Sequence, residues 1–100
     1  MNEKQAELKL VAEVDRGKKA EAVLNNSEFK RAFKEYSVML FDSFKRTDHT
    51  KDGKEKREEI YRQIKALDTV EAKLTESIQT GEMAIEQLSI IQKAVNALKI

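Results

Sequence analysis

The pattern that most constrains this chain is a stripe of apolar residues recurring every three or four positions from Ile60 to Leu98. Its members are Ile60, Ile64, Leu67, Val70, Leu74, Ile78, Ile85, Leu88, Ile91, Val95 and Leu98, and Gly81 completes the spacing. The mean step is about 3.5 residues, the period of a coiled coil. No proline interrupts it. The stripe predicts a long amphipathic third helix over residues 55–99. Two interpretations of Gly81 remain. Either it breaks this helix, or it lies on the apolar stripe and lets a second helix approach closely.

Two shorter helices precede this one. Residues 3–24 carry a weaker apolar stripe, and Gly17 within it costs about 1 kcal/mol relative to alanine. This first helix is therefore expected to fray, or to be ordered by a partner that packs on it. Asn25, Asn26 and Ser27 then mark a helix boundary, with Ser27 as the expected cap of the next helix.

The second helix is predicted over residues 28–46 and holds all four phenylalanines of the sequence. These are Phe29, Phe33, Phe41 and Phe44. Residues 47–54 form a polar loop in which Asp52-Gly53 is a strong turn pair. Together the segments predict an all-α single domain over residues 1–100. It is either an antiparallel helical hairpin or a three-helix arrangement with a long C-terminal coiled-coil-like helix.

Composition narrows the class of function. Nineteen basic residues balance eighteen acidic ones, so the net charge is +1 and lacks the basic excess of a dedicated nucleic-acid binder. No cysteine is present, and no apolar run approaches the roughly 20 residues that span a bilayer. Known catalytic motifs are absent. The expectation is a cytoplasmic, non-enzymatic protein without a cofactor.

The loop also approaches the spacing of a calcium-binding loop. Such a loop needs oxygen ligands at its first, third, fifth and twelfth positions and glycine at its sixth. Asp48, Thr50, Asp52 and Glu59 occupy the ligand positions, and Gly53 occupies the glycine position. Thr50 brings no charge, and the loop has no second copy to pair with. A polar turn without metal is the main expectation, and a single-loop calcium binder is an alternative.

A second alternative is a small nucleic-acid-associated regulatory protein that uses a basic helix face. Five residues are the candidate phosphate contacts: Lys30, Arg31, Lys34, Arg57 and Arg62. Phosphates are bound by such lysine and arginine side chains. No recognised nucleic-acid-binding motif accompanies them.

The apolar residues in the C-terminal part of the third helix have the least obvious packing partner within the chain. An amphipathic helix must bury its apolar stripe or remain marginal in water. The second helix is only about half as long as the third, and the adjacent Ile90 and Ile91 make this end apolar on more than one side. The predicted partner interface comprises Ile85, Leu88, Ile91, Val95 and Leu98.

A set of residues in the second and third helices carries a resemblance. It comprises Phe29 and Phe33, Arg57-Glu58 at the start of the third helix, and Leu67, Leu74 and Gly81 within it. Through these residues the segment 18–88 resembles small uncharacterised all-helical proteins of tailed bacteriophages. The resemblance implies a phage origin and a place among virion or assembly genes, and it implies no activity. The leading hypothesis is therefore a protein that binds itself or another protein, as a structural or assembly component in host cytoplasm or virion.

Overall fold

The computed structural model describes residues 2–98 and confirms the all-α fold class. Helix α1 spans Glu3–Asn25, α2 spans Ser27–Lys45 and α3 spans Lys51–Leu98. The described residues contain no strand, and α3 continues through Gly81 without a break. Residue 99, the predicted end of the third helix, lies outside the described part of the chain. The contacts divide the chain into two compact units, and the expectation of a single domain stays a prediction.

Asparagine side chains cap the first two helices. Asn2 Oδ1 accepts a hydrogen bond from Gln5 N at 2.8 Å, and Asn2 N donates one to Gln5 Oε1 at 3.1 Å. This reciprocal pair is a capping box. Asn26 Oδ1 accepts from Phe29 N at 2.9 Å, so Asn26 and not Ser27 caps α2. Backbone amides at both helix starts thus find side-chain partners, two at α1 and one at α2, without any left-handed non-glycine residue among the described residues.

The third helix begins at Lys51, one turn earlier than the sequence predicted. Thr50 Oγ1 accepts a hydrogen bond from Gly53 N at 3.1 Å, and Asp48 Oδ1 accepts from Thr50 N at 3.0 Å. A threonine that caps the third residue of a helix stabilises its first turn. Asp52 and Gly53 are therefore helical, and the loop is limited to residues 46–50.

The first unit pairs α1 with the part of α3 from Leu74 onward. The two backbones approach each other most closely at Gly17 and Gly81. A Cβ atom built on Gly17 would lie 2.9 Å from the Ser77 carbonyl oxygen and 3.1 Å from Gly81 Cα. Ala20 and Ala84 are buried in the same unit, and Ala84 is 1% exposed. Small residues on both helices allow this approach.

The two helices of this unit run antiparallel with coiled-coil spacing. The less exposed residues of α1 are separated by four and three positions: Ala6, Leu10, Glu13, Gly17 and Ala20. Those of α3 follow the same rule: Leu74, Ser77, Gly81, Ala84, Leu88 and Ile91. We call this contact the small-residue seam.

The second unit pairs α2 with the part of α3 up to Lys73. Leu40 is 3% exposed and lies at its centre. Phe29 and Phe33 stack with ring centroids 5.6 Å apart, and Tyr36 Oη donates to Gln63 Oε1 at 3.2 Å across the antiparallel pair. Half-buried Ile60, Ile64 and Leu67 continue the inner face on α3. The predicted hairpin of the second and third helices is therefore present.

Candidate functional site

The predicted interface residues at the end of α3 divide into two groups. Leu88 and Ile91 are half-buried. Ile85, Val95 and Leu98 are 49%, 40% and 86% exposed. The chain itself therefore hides only part of this surface, and its role as an interface stays a prediction.

The register of α1 explains why the end of α3 is uncovered. Gly17 lies between Ser77 and Gly81. Both helices rise by the same amount per residue, so the first turn of α1 lies beside α3 near Lys93. Helix α1 begins at Glu3. Val95 and Leu98 lie past the end of this antiparallel partner.

The small-residue seam explains the exposure of Ile85. The sequence stripe assigned Ile78 and Ile85 to the inner face, where the structure buries Ala84 and leaves Ser77 and Ile78 both half-buried. At this turn the seam takes the small Ala84. Ile85 is displaced to its flank.

Four exposed residues of α3 form a surface that we call the acidic flank. They are Glu82, Met83, Glu86 and Ile90. At 100° per residue, these positions fall on the side of α3 away from Gly81 and Ala84, whereas Ile85 lies only about 40° from Gly81. Neither lysine nor arginine occurs between Lys73 and Lys93. The surface thus combines exposed apolar side chains with Glu82 and Glu86, and Lys9 of α1 lines a groove together with Met83.

In the second unit, aromatic residues line an open groove between α2 and α3. The groove has a volume of about 480 Å³ and is lined by Phe44, Lys54, Arg57, Glu58, Tyr61 and Arg62. Tyr61 is 54% exposed, and Phe41, one helical turn before Phe44, is also half exposed. Lys65 Nζ lies 5.6 Å from the centroid of the Tyr61 ring, in a cation–π contact. We call this surface the aromatic groove.

The sequence did not reveal the aromatic groove. Tyr61 directly follows a stripe residue, and Phe41 and Phe44 were noted only as aromatic residues of the second helix. Their spacing of three residues was the available signal, because i and i+3 positions are neighbours on a helix.

The candidate phosphate contacts do not form one free basic face. Arg31 lies between Glu28 and Glu35, with nitrogen–oxygen distances of 2.7 and 3.1 Å. These hydrogen bonds, first that of Glu28 and then that of Glu35, raise the pKa of Arg31. Arg62 contacts Glu59 at 3.0 Å.

The other three candidates differ in their surroundings. Arg57 donates to Thr47 Oγ1 at 3.2 Å and to the carbonyl oxygen of Asp48, so it holds the loop against α3. Lys30 and Lys34 are exposed on α2. The structure places Arg57 and Arg62 together on the aromatic groove and Lys30, Arg31 and Lys34 on the other helix.

The residues of the calcium-loop alternative lie in the cap and first turns of α3. Asp48 binds Thr50, Asp52 lies 3.3 Å from Lys56, and Glu59 contacts Arg62. Each carboxylate therefore has its own partner. The described residues contain no group of three His, Asp or Glu side chains placed to hold a metal ion. The physical reason is the early start of α3, which makes the loop a helix cap.

The cap makes stability depend on pH. The Thr50 hydroxyl, and next its backbone N–H, donate to Asp48 and lower the pKa of that carboxyl. The unfolded chain therefore binds more protons in the acid range, and stability rises with pH there. The contribution is present above about pH 4 and is lost as pH falls through the lowered pKa. We expect the difference in urea midpoint between wild type and Asp48→Asn to be constant near neutral pH and to shrink below about pH 4.

The matched control for this prediction is Asp68→Asn, which alters an exposed carboxylate on α3 away from the cap. An equal acid dependence in both variants would contradict the assignment to the cap.

No protein-family model matches the chain, and comparisons with curated proteins and with solved structures also find no match. Within residues 2–98, no helix is both long and apolar enough to cross a membrane. The candidate functional surfaces are therefore the acidic flank, the aromatic groove and the uncovered end of α3.

Proposed function

We propose that this chain is a non-enzymatic protein that associates with copies of itself through the last part of α3. The observation that supports this most directly is the exposure of Ile85, Val95 and Leu98 on a helix whose antiparallel partner ends near Lys93. Burying a leucine or valine side chain contributes about 1.5 to 3 kcal/mol. A second copy that covers these residues recovers that free energy.

The small number of buried hydrophobic residues in each unit supports the same proposal. Among the described hydrophobic residues, only Ala20, Leu40 and Ala84 are buried. Each unit pairs two helices, so most apolar side chains meet a neighbour on one side only. Two-helix units of this kind gain stability when another helix packs on them.

The test is molar mass by light scattering across a concentration series. The variant Val95→Glu/Leu98→Glu places two charges on the uncovered end, and we expect it to remain at the monomer mass of 11.5 kDa where wild type is larger. Leu88 and Ile91 are unsuitable positions, because they are half-buried and their replacement also disturbs the unit itself.

The chain offers a closely matched control for this variant. Leu8 and Val11 are the same two residue types, three positions apart, and both are exposed on α1. Leu8→Glu/Val11→Glu is expected to keep the wild-type mass. A wild-type chain that stays monomeric at every concentration contradicts the proposal, and so does equal loss of mass in both variants.

We further propose that the protein is a structural or assembly component of a tailed phage, in host cytoplasm or in the virion. The support for this part is the resemblance carried by residues 18–88. The test is mass spectrometry of purified virions and of the infected host's soluble fraction, in which the chain is expected as a multicopy species. Absence from both contradicts this part alone.

A further inference from the structure

We propose that the aromatic groove and the lysines beside it bind a single-stranded nucleic acid. The groove lies in the unit formed by α2 and the first part of α3, whereas the proposed self-association uses the last part of α3. Nucleic-acid binding is thus a further function on a different surface, and either proposal can fail without the other.

The charged side chains of α2 are segregated by side. Buried Leu40 marks the face of α2 that packs on α3, and Phe44, about 40° away, marks the side of the aromatic groove. At 100° per residue, three exposed lysines lie between about 80° and 140° from Leu40 in the same direction. They are Lys30, Lys34 and Lys45. The acidic residues of α2 lie in the other half of its surface, and they are Glu28, Glu35 and Asp42.

The first part of α3 adds basic side chains to the same side of the hairpin. Lys54 and Arg57 line the groove, and Lys65 lies at its edge over an aromatic ring. Glu58 also lines the groove, and the spacing of α3 places Asp68 on this side too. Together with the α2 lysines, the basic residues on this side outnumber the acidic ones.

The opposite side of the hairpin has different chemistry. Ser43 lies about 60° from Leu40 in the direction away from Phe44, and it lines a second groove with Asp52 and Glu59. The acidic residues of α2 lie toward this side. The chain is nearly neutral as a whole because these two sides differ in sign.

The lysines beside the aromatic groove are available to bind phosphates. In the part of the chain that the structure describes, Lys30, Lys34, Lys45 and Lys54 form no ion pair. Lys34 and Lys45 lie about 16 Å apart along α2 at 1.5 Å per residue. A row of this length suits the successive phosphates of a polymer better than one free phosphate group.

Exposed aromatic rings lie among these cations. Tyr61 is 54% exposed and Phe44 is 38% exposed, and both line the groove. Phe41 lies outside the groove lining, about 60° around α2 from Phe44, and is half exposed. Unpaired bases stack on such rings while a basic groove follows the sugar–phosphate backbone. A duplex hides the faces of its bases, so this combination selects a single strand.

The concave shape favours a nucleic acid over a membrane surface. A peripheral helix binds a bilayer by burying an apolar face at the boundary of the acyl chains. Here Lys54, Glu58 and Arg62 surround the aromatic residues of a groove of about 480 Å³. A planar base fits between polar side chains, whereas acyl chains would desolvate the Glu58 carboxylate without a compensating partner.

Fluorescence anisotropy of a labelled oligothymidylate of about 12 nucleotides tests the proposal. We expect wild type to bind it with a Kd between about 1 and 100 µM in low salt, and the affinity to fall steeply as salt is added. Unlabelled oligouridylate of the same length is expected to compete. A DNA duplex of the same length is expected to compete at least about tenfold less well, because it offers no free base faces.

Variants of the lysines and of the ring are expected to act differently. Lys34→Glu/Lys54→Glu should weaken binding at least about tenfold and reduce its dependence on salt. Tyr61→Leu should weaken binding at least about fivefold with the salt dependence unchanged, and Tyr61→Trp should retain the wild-type affinity, because stacking requires a ring. All three positions are exposed, so helicity by circular dichroism is expected to be unchanged.

Matched controls come from surfaces away from the groove. Lys4→Glu/Lys18→Glu makes the same change of net charge at exposed positions of α1 and is expected to bind like wild type. Tyr36→Leu alters the other tyrosine, which contacts Gln63 on the opposite side of the hairpin, and is also expected to keep the affinity. Lys34→Glu/Lys54→Glu should keep the wild-type molar mass, so nucleic-acid binding and self-association are measured independently.

Four outcomes would overturn the proposal. They are absence of binding up to about 100 µM chain in low salt, equal affinities of the groove variants and their controls, equal competition by the duplex, and equal affinities of Tyr61→Leu and Tyr61→Trp. Vesicles that contain phosphatidylserine provide a separate comparison. Vesicle binding that Lys34→Glu/Lys54→Glu abolishes, with no binding of the oligonucleotide, would assign the surface to a membrane instead.

Discussion

Replacing Gly17 with leucine is expected to cost at least about 2 kcal/mol of unfolding free energy and to separate α1 from α3. Even a Cβ atom at this position lies 2.9 Å from the Ser77 carbonyl oxygen and 3.1 Å from Gly81 Cα. Both contacts are with backbone, which cannot rotate away. Overpacking of this kind costs about 3 kcal/mol, and the better helix propensity of leucine offsets about 1 kcal/mol of it.

The expected result is measurable by thermal unfolding. A loss of about 2 kcal/mol lowers the midpoint by about 10 °C in a protein of this size. Lys18→Leu is the matched control, since it introduces the same side chain at the next, exposed position of α1. Gly81→Leu should behave like Gly17→Leu, because a Cβ atom on Gly81 lies 3.1 Å from the Glu13 carbonyl oxygen. Equal midpoints for Gly17→Leu and Lys18→Leu would contradict the close approach of the two helices.

The same glycines show what the sequence could and could not predict. The 3.5-residue stripe was sufficient for a long third helix, because periodicity over many turns depends on no partner. It left the role of Gly17 and Gly81 open, because a glycine within a helix is unfavourable by itself and useful only when another backbone comes close. The sequence does not state which two glycines meet.

The inner face of α3 illustrates a second limit. A pattern of hydrophobicity ranks Ile85 above Ala84, and the structure buries Ala84 at the seam and leaves Ile85 exposed. The cause is the short distance between the helices, which larger side chains would prevent. The exposure of Ile85 follows from this packing, so it could not be predicted from the stripe alone.

The loop before α3 illustrates a third limit. Asp48, Thr50, Asp52 and Gly53 have spacings that suit either a calcium loop or a helix cap. The choice depends on where the first helical hydrogen bonds form. In the structure, Lys54 N donates to the Thr50 carbonyl oxygen at 2.9 Å, which commits the segment to the helix.

Replacing Gly53 with alanine is expected to destabilise the protein by about 2 kcal/mol, although helix propensity alone predicts the opposite sign. Gly53 is helical and does not have a positive φ, so alanine would ordinarily add about 1 kcal/mol of stability. Here the added Cβ atom overlaps the carbonyl oxygen and Oδ1 of Asp48. Relieving that overlap requires the loop to leave the helix, at an overpacking cost of about 3 kcal/mol.

A double-mutant cycle tests whether the loss comes from the cap. Thr50→Ala alone removes the hydrogen bond from Gly53 N and should cost about 1 kcal/mol. If Gly53→Ala already displaces the loop, Thr50→Ala should cost almost nothing in that background, because the two changes act on one interaction. Lys51→Ala, at the exposed first residue of α3, is the control and should be nearly neutral. Additive costs for Gly53→Ala and Thr50→Ala in urea unfolding, or a gain in stability from Gly53→Ala, would refute this account of the start of α3.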